Sequence, residues 1–467
     1  MAGAYRRHRC HGRVRSKPRR HNQVIALALS QKMRDPQAAI VFHPERVERQ
    51  LYQALPADHF LRSRLARQLV KQGQLVPYSV LSDTRIESPR VPFVTYPYEW
   101  CDAQFHDAAQ ATLGLLKAVN AQGYDLKDAS AWNILFVGCK PQFCDLMSFE
   151  PLTSQRWWAL GQFVRHFIWP LLVARRRRLA CRKSFLTWRD GVPTEKIPKL
   201  LGPLVYFSRY LPFLLGGSAA GAPSAAVPVD QVGAFRRSVI EMLDWCLPKA
   251  AGPKKSAWVN YEQDRDHYNA EAINFKKATV AKWLADIRPE WVADLGCNSG
   301  EFSLLAADAG ARVVAVDADH ACIQNLYQRA QGRTDVFPVV AALDDIVGGR
   351  GWQGSEFASL GQRLSGLCDV VFGLALIHHL TIGASVPLLA VAAFLYALTK
   401  QWAVLELIDS EDSQLQSLCA TRNRNPCDFS VNAQKAALVA AGFVIQEVQP
   451  ITNTHRQLVL FRRAIIL

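Results

Sequence analysis

The 467-residue chain contains no continuous apolar run of 18 or more residues, so it offers no good transmembrane helix. The nearest approach, residues 157–174 (WWALGQFVRHFIWPLLVA), is interrupted by Arg165 and His166 and reads as a buried helix. Eleven cysteines, an odd number, form no C-x-x-C pair and no Cys/His spacing of a zinc site. The closest pair, Cys139 and Cys144, falls in a strand-like hairpin, and the set reads as reduced thiols of a cytoplasmic protein. Acidic residues are missing from the first 22 positions, which hold eight Lys and Arg. The apolar stretch behind them, Val24–Leu29, is too short for the core of a signal peptide. An acid-free, Arg-rich start also fits a transit peptide, but no other feature supports that. No internal repeat is present. A hydrophobic share of 49% with 20% charged residues excludes disordered and collagen-like classes.

The net charge of +15 is unevenly spread. Residues 1–256 carry 38 Lys+Arg against 18 Asp+Glu, whereas residues 257–467 carry 17 against 22. Beyond the tail, a second basic cluster is Arg175–Arg178 with Arg182 and Lys183. Such blocks are either solvated surface or the footprint of an anionic partner: nucleic acid, lipid or glycan.

Three regions follow from composition. Residues 1–32 read as a basic flexible tail, 33–250 as a domain of irregularly alternating helices and strands, and 257–467 as a second domain. The boundary lies in LPKAAGPKKS (247–256), where the charge balance changes sign, and GGSAAGAPSAAVPV (216–229) is a small-residue loop. In the second domain, strands are expected at 291–295, 312–317, 335–341, 369–376, 402–408, 443–449 and 457–463. Helices are expected from Phe302 to Gly310, after an Asp319 cap, and near 384–399 and 432–441. This alternation predicts an α/β doubly wound, mostly parallel sheet, with an antiparallel edge from the last two strands.

The most informative segment is the strand WVADL (291–295), the loop GCNSG (296–300) and the helix after it. Such a unit directs backbone N–H groups and a helix N-terminus into the crevice at the strands' carboxyl ends. A dinucleotide needs G-x-G-x-x-G, but here Gly296 and Gly300 flank Cys297, Asn298 and Ser299. Asp294 at the strand end disfavours pyrophosphate and favours a ligand carrying positive charge. Asp317, ending the next strand, is placed to accept both hydrogen bonds of a ribose diol. A ligand with a ribose, no phosphates and a cation is S-adenosylmethionine.

The order D-x-G-x-N-x-G, an acid 23 residues after Asp294, and DVVFGLALIHHL (369–380) resemble the class I S-adenosylmethionine-dependent methyltransferases over 257–467. The resemblance implies a Rossmann-like sheet in which Asp294, Gly296, Cys297, Asn298 and Gly300 line the methionine part of the cofactor. It implies that Asp317 holds the ribose hydroxyls and that Asp344 or Asp345 meets the adenine amino group. Asn298 departs from the glycine more common in that family. Alone, each glycine would be a tight turn and each aspartate a helix cap. His378 and His379 follow the fourth strand, where a histidine can take a proton from an oxygen or nitrogen nucleophile. Otherwise one ring packs on the cofactor and the other caps a helix. Glu406 in AVLELID is a second pocket group, and nothing in the spacing of these three residues demands a metal. Trp258, Tyr261 and Tyr268 fit either a pocket lid or interdomain packing.

Over roughly 40–467 the motifs YPYEW (96–100), LKDASAWNILF (126–136), SFE (148–150) and HHL resemble a bacterial group of methyltransferases related to host-specific nodulation proteins. The N-terminal half also resembles a degenerate kinase. Asp128-x-x-x-x-Asn133, with Asp145 twelve residues on, repeats the spacing of the catalytic loop and the metal-binding aspartate. YPYEW would be the hinge and 104–122 the long helix. Leu126 stands where the loop usually has His, Cys144-Asp145-Leu146 lacks the glycine, and no glycine-rich loop or V-A-I-K lysine precedes residue 93. An α+β kinase-like domain used for binding is therefore expected, without phosphotransfer. The leading expectation is a methyltransferase acting on an oxygen or nitrogen of a small molecule or glycan. The alternatives are a nucleic-acid methyltransferase, which the basic half motivates, and a non-catalytic scaffold with a pseudokinase domain. Against the former, no NPPY-type tetrapeptide follows the fourth strand.

Overall fold

The computed structural model of the chain describes residues 36–215, 229–251 and 270–464. The basic tail, most of the 216–229 loop, and Trp258, Tyr261 and Tyr268 lie outside the described residues. The chain forms two compact units. The first takes its described residues from 36–56 and 78–90. It is a four-stranded antiparallel sheet of β1 (Ala38–Phe42), β2 (Arg46–Leu51), β3 (Ser79–Ser82) and β4 (Arg85–Pro89), in the order β1-β2-β4-β3. Glu48 faces inward on β2 and accepts from Arg85 Nε at 2.9 Å and Gln50 Nε2 at 3.1 Å. The Arg85 hydrogen bond, with that of Gln50, pulls its carboxyl down to about 2.

The second unit comprises Ala57–Pro77 and Val91 onward. It begins with α1 (Arg64–Lys71), capped by the Ser63 hydroxyl, and the long α2 (Asp102–Asn120). Two small antiparallel pairs follow: β5 (Tyr124–Leu126) with β8 (Phe149–Pro151), and the hairpin β6 (Ile134–Val137) with β7 (Lys140–Phe143). The segment expected as a buried helix at 157–174 is helical only from Leu160 and mostly buried from Phe163, while Trp158 is 63% exposed. A π turn at Val164–Ile168 joins Leu160–Phe163 to α3 (Trp169–Arg177). Next come α4 (Cys181–Thr187), α5 (Ile197–Leu201) and α6 (Val229–Cys246).

The main sheet is built from β9 (Trp291–Leu295), β10 (Arg312–Asp317), β11 (Val336–Val340), β12 (Val370–Gly373), β13 (Trp402–Ile408), β14 (Phe443–Pro450) and β15 (Arg456–Arg463). Its order is β11-β10-β9-β12-β13-β15-β14; β9 to β13 are parallel, and β15 runs antiparallel to both neighbours. The helices are α7 (Ala270–Ile287), α8 (Glu301–Asp308), α9 (His320–Arg329), α10 (Leu388–Leu398), α11 (Ser413–Thr421) and α12 (Val431–Ala440). Val314 and Val316 on β10 join the core formed with α10 and α12. Their neighbours Val313 and Ala315 are equally buried and, by the alternation of a strand, point to the opposite face. Both faces are thus covered, as in a doubly wound fold.

Several details differ from the sequence expectation, including the unexpected α7 and a short helix at Leu360–Leu364. The fourth strand stops at Gly373 rather than 376, because Leu374 and Ala375 turn away and Ala375 has φ +55°. The helix expected from 384 begins only at Leu388, since Pro387 takes the cap position. Helix α11 was not expected at all, although Asp412 caps it by accepting from the Gln414 and Leu415 N–H groups.

The helical region and the main sheet share a hydrogen-bonded interior. The Asp102 N–H donates to His320 Nε2 at 3.3 Å, and the Tyr327 hydroxyl to Asp107 Oδ2 at 2.6 Å. Arg182 on α4 donates to the Val340 carbonyl at 3.2 Å, at the end of β11. Trp132 stacks on Phe357 with ring centroids 4.6 Å apart. His320 and Val340 sit beside the loops that follow β10 and β11. No helix among the described residues is long and apolar enough to cross a membrane.

Gly300 caps α8 with φ +81°, and a Cβ there would come within 2.3 Å of Leu326 Cδ1 on α9. Gly300→Ala is therefore expected to destabilise the fold by about 1–3 kcal/mol, read as a lower denaturant midpoint at unchanged slope.

Candidate active site

The carboxyl ends of β9 to β12 open on a cavity of about 500 Å³. Its floor is the loop after β9. Gly296, Asn298 and Gly300 all have positive φ, at +74°, +52° and +81°. Asparagine is among the residues that tolerate this conformation best, which explains why it can stand where a glycine is more usual. The Asn298 side-chain oxygen accepts from the Ser299 N–H at 2.6 Å and the Ser299 hydroxyl at 2.9 Å. The Gly296 and Cys297 N–H groups both donate to the Val316 carbonyl, at 2.8 and 3.0 Å.

Asp317 ties this loop to the next one. Its Oδ2 accepts the Asn298 N–H at 2.8 Å and its Oδ1 the Asp319 N–H at 2.7 Å. Burial raises its pKa, opposed by these N–H groups. Asp319 lines the cavity and also caps α9 through the Ala321 and Cys322 N–H groups.

Of the cofactor residues expected from sequence, Gly296, Cys297, Asn298, Asp317 and Asp344 line the cavity. Asp294, Gly300 and Asp345 are not on its wall. Asp294 lies beneath the loop, 2% exposed, and accepts the Ser303 hydroxyl at 2.6 Å. Desolvation pushes its carboxyl up to about 6; the Ser303 bond opposes that shift and the nearby Asp317 charge adds to it. Gly300 packs against α9, and the Asp345 N–H donates to Ala342 O at 3.3 Å.

The opposite wall follows β12. Leu374, the left-handed Ala375 and Leu376 lead into a single π turn, His379–Gly383. Such turns and such strained residues concentrate at functional sites. His379 lines the cavity; His378 does not, and its ring centroid lies 4.0 Å from that of His379. Burial lowers both pKa values, His378 the further because the His379 charge adds to desolvation. Both imidazoles are therefore neutral at pH 7.

Glu406 is 1% exposed and does not line the cavity. It accepts from Lys276 Nζ at 2.5 Å and Arg456 Nη1 at 3.3 Å, while Arg456 also donates to Asp412 at 2.7 Å. Lys276 does line the cavity, with its Nζ 4.8 Å from the centre of the Phe302 ring. Sequence reasoning missed Lys276, Phe302, Glu301 and Arg422 as wall residues and read Asp319 only as a cap. No motif spacing marks the first four. Among the described residues no cluster of three or more His, Cys, Asp or Glu is arranged to hold a metal ion.

Of the kinase-like triplet, Asn133 and Asp145 meet elsewhere in the second unit, while Asp128 contacts Ser148. Asn133 Nδ2 is 3.5 Å from Asp145 Oδ2, and the Cys144 N–H donates to the Asn133 carbonyl at 2.8 Å. Asp145 Oδ1 accepts the Met147 N–H at 3.1 Å, and the Asp128 N–H donates to Ser148 Oγ at 3.1 Å. Burial pushes the nearby His166 down to about 3 and so keeps its ring neutral, and its Nδ1 accepts from the Ala131 N–H at 3.2 Å.

No family model matches the chain. It is 27% identical over 457 residues to the nodulation protein NoeA of Rhizobium meliloti (strain 1021), covering 92% of this chain and 95% of that protein. Among solved structures it is similar to magnesium protoporphyrin IX methyltransferase (ChlM) from Synechocystis PCC 6803 with bound SAH: 17% identity, 41% of this chain, 84% of that one, TM-score 0.32. It is also similar to N-methyltransferase NodS from Bradyrhizobium japonicum WM9: 10% identity, 42% of this chain, 99% of that one, TM-score 0.32.

Because the folded state raises the Asp294 pKa, this group favours folding most at low pH, and that contribution is lost as pH rises through about 6. In Asp294→Asn the contribution is absent. The stability difference between native protein and variant should therefore shift against the native protein as pH is raised from 4.5 to 7, followed by urea unfolding at each pH. A difference that stays constant over this range would mean that Asp294 does not titrate there.

Proposed function

We propose that this chain is an S-adenosylmethionine-dependent methyltransferase whose methyltransferase domain is residues 257–467. The observation that carries the reading is the Asp317 carboxylate, held between the Asn298 and Asp319 N–H groups at the cavity wall. Three aspartates, Asp317, Asp319 and Asp344, face the cavity from the ends of β10 and β11. That donor set suits a ribose diol, an amino group and a cationic centre, and it repels polyphosphate. S-adenosylmethionine, when bound, supplies a methyl group activated by a sulfonium. Asp317 would hold the ribose hydroxyls, Asp344 the adenine amino group, and the Gly296–Asn298 backbone the methionine part.

The acceptor then enters from the β12 side. Loop 374–380 and Asp317 lie on either side of β9, about two strand spacings or roughly 10 Å apart, which leaves room for the nucleoside between them. Holding the acceptor in line with the sulfonium supplies much of the rate. His379 is the cavity histidine and, being neutral, can accept the acceptor's proton at a ring nitrogen; the tilted His378 ring packs against it. Glu406 acts indirectly, by fixing Lys276 at the wall. The relative is a nodulation protein, and a small-molecule or glycan acceptor, methylated at oxygen or nitrogen in the cytoplasm, is the reading we adopt.

The region 33–250 reads as a degenerate kinase-like domain that recruits or positions the acceptor. The chain order β1, β2, α1, β3, β4, then a long helix, a loop with Asp128 and Asn133, and a hairpin before Asp145 supports this. Asp145 spends one oxygen on its own turn, and no glycine-rich loop precedes it, so a binding role without phosphotransfer follows.

Calorimetry should show saturable S-adenosylmethionine binding that Asp317→Ala weakens at least about tenfold, the scale of losing a charge-assisted hydrogen bond. A folded native protein that releases no heat would sink the reading. With methyl-labelled cofactor and fractionated lysate, His379→Ala should lower label transfer by about 10²–10⁴-fold at unchanged cofactor affinity. Native transfer should stay level as pH falls through 6.5, because burial holds His379 neutral below its usual value. A decline centred at 6.5 would contradict the buried geometry.

A further inference from the structure

Away from the cavity, the second unit carries a patch in which large apolar side chains stand in solvent beside a dense row of cations. After α5 the chain makes a 3-10 turn, Pro203–Phe207. Val205 at its centre is fully buried and anchors it, together with Ile197 and Leu201 of α5. Its neighbours point the other way: Leu204 is 74% exposed, Phe207 89%, and Tyr206 is exposed as well. Trp245 on α6 is also exposed and lies under the Arg209 guanidinium, 4.9 Å from its ring centre. A turn pinned through one buried residue while three apolar neighbours face water is a presented surface. Singly exposed apolar residues need no explanation, but a contiguous set does.

The cations are adjacent. Arg175, Arg176, Arg177 and Arg178 at the end of α3 are all exposed. The Arg177 Nε donates to the Leu200 carbonyl at 2.7 Å, which places the end of α3 directly against the chain that leads into the turn. Lys196 and Lys199 lie within the same stretch. Residues 165–209 hold eleven Lys and Arg but only two acids, Asp190 and Glu195.

We propose that this face docks peripherally on an anionic lipid bilayer, with Leu204, Tyr206 and Phe207 inserted at the headgroup boundary and Arg175–Arg178 against the lipid phosphates. Aromatic and aliphatic side chains ringed by Arg and Lys are the composition of an interfacial binding surface, and anionic lipid supplies the opposite charge. Nucleic acid would satisfy the arginines and could stack on the aromatic rings, but it offers nothing for Leu204. The inference does not depend on the methyltransferase reading, since none of these residues touches the cavity.

The test is co-sedimentation of the full chain with phosphatidylcholine vesicles, with and without about a third of phosphatidylserine. Binding should be at least about tenfold stronger to the anionic vesicles and should weaken at high salt. The double variant Leu204→Ser with Phe207→Ser should bind those vesicles about tenfold more weakly, with an unchanged melting temperature. Arg176→Glu with Arg178→Glu should do the same. Native-like binding by the Leu204/Phe207 variant would assign the attraction to the basic tail and overturn the proposal. A lowered melting temperature of that variant would mean that the chain itself covers these residues. A native dimer that the variant splits, seen by analytical ultracentrifugation, would make the face a contact between copies. Either result, or equal binding to neutral vesicles, or none to anionic ones, contradicts membrane docking.

Discussion

The pocket depends on one carboxylate accepting two backbone N–H groups from two different loops. Asp317 reaches Asn298 in the loop after β9 and Asp319 in the loop after its own strand. Neither loop has regular secondary structure to hold it, and the first contains three residues in the left-handed region. Free N–H groups at that depth would each be costly to leave unpaired. The carboxylate satisfies both and still has lone pairs facing the cavity. The helical region reinforces the same place from outside, since Asp102 meets His320 next to Asp319, and Arg182 meets the Val340 carbonyl one residue before the cavity residue Ala341. The geometry of the pocket is therefore a property of the whole second unit.

Charge is sorted across the sheet. The aspartates of the cavity follow β10 and β11, on one side of β9, and Glu301 joins them from α8, whereas His379 follows β12 on the other side. Lys276 reaches the wall from α7, tethered to Glu406, whose own charge is further compensated by Arg456. Such a network is expensive to desolvate and is tolerated only when each member is partnered. The two histidines are kept neutral by burial beside Arg456. A site that is cation-seeking at one end and equipped with a neutral acceptor at the other suits transfer from a sulfonium to a protic nucleophile.

The main sheet was legible because its strands are continuous apolar runs. WVADL, VFPVV and VVFG are buried along their whole length, and helices with clear periodicity separate most of them. The glycine loop and the acid after β10 were legible through their spacing. Local chemistry that overrides periodicity was less so: Ala375 ends β12 early, and Pro387 delays α10. Glu406 read as a pocket group because it lies near the carboxyl end of a central strand, but its partners Lys276 and Arg456 come from segments 130 and 50 residues away. Long-range ion pairing leaves no local signature. For the same reason Lys276 and Arg422 could not be placed at the wall. His378 and His379 are adjacent in sequence, and only the π turn decides which ring enters the cavity.

Hydrogen–deuterium exchange with and without S-adenosylhomocysteine tests the central claim most directly, because it reads the two loops amide by amide. Protection is expected at 296–300, 317–319, 341–345 and 374–383, with residues 126–148 unchanged. Binding that protects 126–148 instead, or that leaves the Asn298 and Asp319 amides exchanging as before, would contradict a cofactor seated on Asp317.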